Sequence, residues 1–336
     1  MSKRIEEHDG HFYKYEKVLG TGSHGTTWKA LDITNNKTVA IKIFGNKKIN
    51  SRERSIVIED WEWERKMMMA LLAQCEPHAV CVIDAYIEHG LPRLVMDFVN
   101  GKSVNALIFD NVQPGDRPNG FKLLKDLVQG INIIHSKGLV HEDIKAENII
   151  YDNDMNLYRY IDFGLACLQG SKQSAYDPVT GMVNLAKVGF PCSTYGTKYI
   201  SSPVLHKLTT RKRKPIVPWS LLQAHDYWSI GVEVLRWYTL EVNKSYYLNE
   251  YKKWAGKKPV ESFIENAHLR GFFPLYYLLN PSFIEYQICK IGDSSLEDKK
   301  AKAVLFLLLD FDDYSRAANF PLVVDIINGK HDHFFI

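Results

Sequence analysis

The sequence predicts an α+β protein built as two lobes, a small β-sheet with one main helix followed by a larger, mostly helical part. Three observations predict it. Segments rich in β-branched and aromatic residues dominate residues 12–98 and are interrupted by one helical pattern. Helical periodicity takes over after Gly101. A set of acidic, amide and lysine side chains falls on short loops between strand-like segments. At 336 residues, with 46% hydrophobic and 24% charged, the chain can bury one large core or two joined ones.

Residues 1–11 read as an N-terminal tail, 12–330 as the domain, divided near residue 98 into its two lobes, and 331–336 as a C-terminal tail. Strands are expected over 13–19, 26–31, 38–44, 80–87 and 93–98, broken by Gly, Asn35-Asn36 and His89-Gly90-Leu91-Pro92 turns. Over 56–72, Met67, Met68, Leu71 and Leu72 recur at helical spacing. In the second part, Leu124, Leu127, Val128, Ile131 and Ile134 share one face of a helix over 121–135. Residues 227–240 are apolar almost all round, the pattern of a helix at the centre of a lobe, and further helices are expected over 260–269, 283–288, 300–309 and 321–327.

The net charge of +3 is small and evenly spread, which argues against a nucleic-acid partner. Cys75, Cys81, Cys167, Cys192 and Cys289 are scattered, odd in number and never in a CxxC pair, so neither a disulfide framework nor a zinc site is expected, and a reducing compartment is. No run approaches the roughly 18 apolar residues that span a bilayer, and neither end carries a leader or lipidation signal. The chain reads as intracellular and cytoplasmic, with no membrane partner.

Gly20-Thr21-Gly22-Ser23-His24-Gly25 fits GxGxxG, a pattern also used by dinucleotide-binding folds. There the loop opens a helix; here Thr26-Thr27-Trp28-Lys29-Ala30 reads as a strand, giving a hairpin flap whose N–H groups can face phosphate oxygens, or an ordinary glycine-rich hairpin. Lys42 ends the apolar strand Val39-Ala40-Ile41 and would reach the α- and β-phosphates. Its buried ammonium needs a carboxylate, and of Glu59, Glu62 and Glu64 the choice falls on Glu64, because Met67, Met68 and Leu71 follow three, four and seven residues on. The bland alternative leaves these glutamates solvated and Lys42 a strand-end charge.

In His141-Glu142-Asp143-Ile144-Lys145-Ala146-Glu147-Asn148, Asp143 can accept a hydroxyl proton, Lys145 can neutralise a moving phosphoryl group, and the Asn148 amide oxygen can ligate magnesium. Asp162, opening Asp162-Phe163-Gly164, can hold a second metal position; alternatively it is a strand-end aspartate starting a turn. His141 follows Leu139-Val140 and is better read as a packed structural histidine than as a base.

On this ordered set the chain resembles the eukaryotic-type protein kinases over residues 12–328, which implies the two-lobed protein-kinase fold, ATP and Mg2+. The resemblance makes Met96 the gatekeeper, has the backbone of Asp97 and Val99 read the adenine edge, and puts Ser103 near the ribose. Ala40 would line the adenine pocket and Thr27 would cover it. Asp226, in Asp226-Tyr227-Trp228-Ser229-Ile230-Gly231, would brace the catalytic loop backbone. Lys145 with Gly196-Thr197 resembles the serine/threonine branch, where Thr197 hydrogen-bonds near Asp143 and Lys145. Met68, His141 and Phe163 match three members of the apolar stack that links the lobes. The implied activity is transfer of the ATP γ-phosphoryl group to Ser/Thr hydroxyls of protein substrates. The alternatives are a kinase-like enzyme acting on a small molecule and a pseudokinase scaffold that binds nucleotide without transfer.

Two departures qualify this. Glu142 stands where the family's His-Arg-Asp has arginine, so a loop phosphate would meet repulsion instead of a receiver, and activity is expected not to depend on loop phosphorylation. Glu142 would instead pair with a base such as Lys187 or Lys198. Ser202-Pro203-Val204 stands where Ala-Pro-Glu is expected, leaving Arg316 without its usual partner unless another acid substitutes, and predicting a looser substrate-side loop. Ser193, Thr194 and Tyr195 are candidate phosphosites.

Overall fold

Six antiparallel strands make the first sheet, in the order β1-β2-β3-β4-β6-β5: β1 (Ile5–His8), β2 (His11–Gly22), β3 (Gly25–Asp32), β4 (Lys37–Phe44), β5 (Val82–Glu88) and β6 (Leu91–Asp97). The computed structural model describes residues 4–22, 25–45, 50–71, 75–109, 119–171, 174–186, 192, 201–209, 215–239, 281–292 and 295–331. Helix α1 (Ser51–Leu71) packs its buried Met67, Met68 and Leu71 against the sheet, and the Trp61 indole N–H donates to the Arg93 carbonyl at 2.9 Å. The helix begins five residues before the expected start. Its first turns are solvated and show no apolar period, but Asn50 and Glu53 cap it reciprocally, each side chain accepting the other's backbone N–H at 2.9 and 2.8 Å.

The residues expected to be an N-terminal tail are instead part of this sheet. Strand β1 pairs with β2 in register, Ile5 opposite Lys14 and His8 opposite His11. Its inward residue is Glu6, 6% exposed, which receives Arg93 at 3.1 and 3.2 Å and the Tyr15 hydroxyl at 2.6 Å, with Arg4 also paired to it. Burial opposes ionisation, yet Arg93, Tyr15 and Arg4 outweigh it and hold the Glu6 carboxyl at about 2. Because this folded value lies below the ordinary 4.5, the group's stabilisation is complete above that pH and fades as pH falls towards 2. Glu6→Gln is therefore expected to cost about 3–5 kcal/mol at pH 7, since buried Arg93 loses its counter-charge, and much less near pH 2. Urea unfolding at the two pH values checks this, and equal midpoints for variant and wild type at pH 7 would refute it.

The second part is built from α2 (Val104–Phe109), α3 (Gly120–Ser136), α4 (Pro203–Thr209), α5 (Trp219–Thr239), α6 (Pro281–Cys289), α7 (Leu296–Leu308) and α8 (Asp313–Ile327). Helix α5, with Trp228, Ile230, Val232 and Val234 fully buried, packs against α3, α7 and α8. Pro321, expected near a helix start, lies inside α8, whose true cap is Asp312, accepting from the Tyr314 N–H at 3.0 Å. The helix expected over 260–269 lies outside the described residues. One core cluster runs through both lobes, from Ala40, Met68 and Leu94 through Tyr160 and Phe163 to Leu127 and Trp228.

The cysteines depart from expectation. Cys75 is bonded to Cys81 and Cys167 to Cys192, with Cα separations of 5.6 and 5.1 Å, while Cys289 is free. The second pair spans 25 residues and forms in a small apolar cluster with Val183, Leu205 and Val217, a meeting that spacing alone does not announce. Among the described residues no helix is long and apolar enough to cross a membrane.

Candidate active site

The β2–β3 hairpin brings Gly22 opposite Gly25. Gly25 has φ +147°, and any Cβ there would overlap the Ile43 carbonyl oxygen of the neighbouring strand, so packing itself demands glycine. Gly20 and Gly22 are different: a Cβ at either would meet nothing within 4 Å. Protein packing does not require those two glycines. Thr21 lies between them on β2; Ser23 and His24 lie outside the described residues. Register puts Thr27 opposite Lys42 and Ala40 opposite Met96, and strand alternation puts all four on one face of the sheet.

Lys42 is the hub of the site. Its ammonium, on a residue 8% exposed, donates to Glu64 at 2.7 and 2.9 Å and to Asp162 at 3.0 Å. This joins β4, α1 and the loop after β10 (Leu157–Tyr160). Burial would discharge the lysine, but the two carboxylates more than compensate and raise its pKa well above the ordinary value. Burial pushes Glu64 up to about 7, only partly offset by Lys42, because the single cation is shared. Asp162 is buried less completely; its carboxyl is lowered despite desolvation, by the Lys42 charge and hydrogen bond. Asp162 sits at φ +62°, a left-handed conformation, and a Cβ on Gly164 would lie 3.2 Å from Glu64 and 3.3 Å from Asp162.

The catalytic loop is set by the pairing of β8 (Leu139–Val140) with β11 (Cys167–Leu168) and ends in a 3-10 turn, Ala146–Asn148, leading into β9 (Ile149–Asp152). Lys145 donates to Asp143 Oδ2 at 2.6 Å, and the Asn148 amide nitrogen donates to the same oxygen at 2.9 Å and to the Asp143 carbonyl at 3.0 Å. These bonds orient the Asp143 carboxylate and leave Asn148 its amide oxygen for a hard cation. Asp162, held ionised and partly open to solvent, supplies the other oxygen donors, so the residues present fit magnesium.

Asp226 braces the loop from α5 as expected, accepting the backbone N–H groups of His141 and Glu142 at 2.8 and 2.9 Å and a ring nitrogen of His135 at 2.8 Å. His141 is fully buried; its ring packs 4.8 Å from Phe163 and accepts the Asp143 N–H at 3.3 Å, a structural role. Met68 and Phe163 are both fully buried in the shared core.

Glu142 is 1% exposed, at φ +61°, and its Oε2 has no hydrogen-bond partner among the described residues. Burial, then the charge of Asp226, raise its pKa well above the ordinary value. Lys187 and Lys198, its expected partners, lie outside the described residues, as do Thr197, Ser193, Thr194 and Tyr195.

At the junction of the lobes the Asp97 N–H donates to the Cys81 carbonyl at 3.0 Å and the Val99 carbonyl accepts from the Gly101 N–H at 3.1 Å. The Asp97 carboxylate is tied to Arg159 at 3.2 Å, a link between the lobes that the sequence did not single out. Ser103 ends β7 (Gly101–Ser103), and its oxygen accepts the Ala106 N–H at 3.2 Å, capping α2 while its hydroxyl hydrogen can still donate.

The loop expected to be loose at Val204 has a substitute acid. Asp313, fully buried, accepts Arg316 at 2.6 Å and the Ser202 hydroxyl at 2.9 Å, while Arg316 also donates to the Ala224 carbonyl at 2.8 Å. The signal was an aspartate three residues before the arginine on one helix.

Comparison with known proteins agrees with this geometry. The protein kinase domain family matches residues 13–316. The chain is similar to a probable serine/threonine-protein kinase, YbdM, of Bacillus subtilis, 30% identical over 46% of this chain and 58% of that protein. It is similar also to the serine/threonine-protein kinases pkn2 of Myxococcus xanthus and RAD53 of Saccharomyces cerevisiae, each 29% identical, over 48% and 46% of this chain and 18% of each relative. The matched region thus spans less than two thirds of each relative's length. With the lysine, paired acids and braced loop in place, and a family match across most of its length, the chain belongs to the protein kinase domain family.

Proposed function

We propose that the protein transfers the γ-phosphoryl group of ATP to serine or threonine hydroxyls of protein substrates. The observation that carries this is the Lys42 ammonium held between Glu64 and Asp162, because it sets a fixed cation beside an ionised metal-binding carboxylate. Adenine would meet the Asp97 carbonyl and Val99 N–H beneath Ala40 and Thr27, beside Met96, with Ser103 at the ribose. Gly20, Thr21, Gly22 and Gly25, with Ser23 and His24, would cover the phosphates, and Lys42 would hold the α- and β-phosphates. Magnesium bound by Asp162 and Asn148 would neutralise phosphate charge and orient the γ-phosphoryl group. Asp143 accepts the proton of the attacking hydroxyl, its carboxylate held by Lys145 and Asn148. Lys145 then lies beside the transferring group, where its charge opposes the charge that develops there. Thr197 would steady Asp143 and Lys145 from the substrate side.

The reading includes independence from loop phosphorylation, supported by a buried acid, Glu142, where an arginine would receive the phosphate. Phosphatase-treated protein, incubated with ATP, magnesium and a generic Ser/Thr substrate, is expected to match untreated protein in rate. Loss of transfer on phosphatase treatment, restored by a modified loop residue, would overturn that independence; a wild-type rate equal to that of Asp143→Asn would overturn the enzyme reading altogether.

A further inference from the structure

We infer that Trp63 and Lys66 are positioning residues that lock α1 onto the segment after Phe163-Gly164, building the Lys42–Glu64–Asp162 alignment into the chain without a phosphate. The inference rests on the phosphoryl-transfer reading and supplies its regulation. The two residues flank Glu64 and lie three apart, so they share a stripe of α1 adjacent to the one that carries the glutamate. The Lys66 ammonium lies 5.7 Å from the Trp63 ring centroid, which keeps the stripe together.

Each side chain makes one rung. The Trp63 indole N–H donates to the Ala166 carbonyl at 2.9 Å, and Lys66 donates to the Ser171 hydroxyl at 2.9 Å. Both acceptors are on buried residues, Ala166 at 0% and Ser171 at 3% exposure. Ala166 closes the turn of the Asp162-Phe163-Gly164 segment, its own N–H donating to the Phe163 carbonyl at 3.1 Å. The next residues, Cys167 and Leu168, pair with Val140 and Leu139, which lead directly into His141 and Asp143. A continuous path therefore runs from α1 through Ala166 to the catalytic loop.

An outward swing of α1 would break the Glu64 contact to Lys42 and, at the same moment, leave the Ala166 carbonyl without this donor. That second loss biases the helix inward. Leaving one buried carbonyl unpaired shifts such an equilibrium by roughly 5- to 150-fold. A phosphorylated loop would bring α1 and the loop together through a basic receiver, a role that an acid at position 142 cannot fill.

The test compares phosphatase-treated wild type with Trp63→Phe, which keeps the ring and removes the donor, and with Lys66→Met and Lys66→Arg. Trp63→Phe is expected to lower kcat roughly 5- to 150-fold, with little change in KM for the protein substrate or in melting temperature, and to speed amide exchange over residues 165–168. Lys66→Met should do the same more weakly, and Lys66→Arg, which retains a donor, should restore exchange protection. Unchanged exchange and kcat in Trp63→Phe would refute the lock. If wild type transferred no phosphate, the functional reading would fall, and exchange would still decide the lock: faster in Trp63→Phe supports it, equal refutes it.

Discussion

Replacing Asp143 with asparagine is expected to lower kcat by about 10²- to 10⁴-fold while leaving KM for ATP nearly unchanged. The asparagine keeps the size of the side chain and an oxygen that Lys145 and Asn148 can still reach at 2.6 and 2.9 Å, so the loop should hold its shape. What it loses is the capacity to take a proton. An equal rise in KM for ATP would show that the change disturbs nucleotide binding, and a kcat within threefold of wild type would remove Asp143 from the role of base. Single-turnover measurement separates the chemical step from product release.

The second large effect concerns stability. Asp313→Ala should cost about 3–5 kcal/mol, because it strands the buried Arg316 charge, 1% exposed, inside α8 and removes the anchor of Ser202. For a domain of this size that corresponds to a fall in melting temperature on the order of 10 °C. Removing both partners in Asp313→Leu/Arg316→Met should recover part of the loss, since no unpaired charge remains. Ser202→Ala isolates the other function of the network: a raised KM for protein substrate with little change in melting temperature. A melting temperature for Asp313→Ala within 2 °C of wild type, a range taken from the same scale, would show that the network does not anchor the loop.

How much of this was legible in the sequence follows from how each feature is encoded. Lys42, Asp143, Asn148 and Asp162 declare themselves because strand ends and tight loops fix their spacing along the chain, and Glu64 because Met67, Met68 and Leu71 define the packed face beside it. Strand β1 was missed because its inward residue is a charged acid, so it shows no alternation of apolar and polar residues; the buried cation that Glu6 meets, Arg93, stands 87 residues on. The start of α5 was placed eight residues late because Trp219 to Asp226 mix polar and apolar side chains before the fully buried turn. The ionisation of Glu142 was unreadable in principle, since it depends on burial and on Asp226, which lies 84 residues further along. The substitute acid for Val204 was readable and overlooked: Asp313 and Arg316 stand three apart.

The burial of Glu142 next to the Asp226 charge, which favours its protonated form, has an optical consequence. A protonated carboxylic acid has a carbonyl stretch separated from those of ionised carboxylates and of the amide backbone. Infrared difference spectra against Glu142→Gln would single out the vibration of this side chain. Because the residue directly precedes Asp143 and its own backbone N–H donates to Asp226, the band would act as a built-in reporter. It would register nucleotide arrival at the catalytic loop without a label or a substrate.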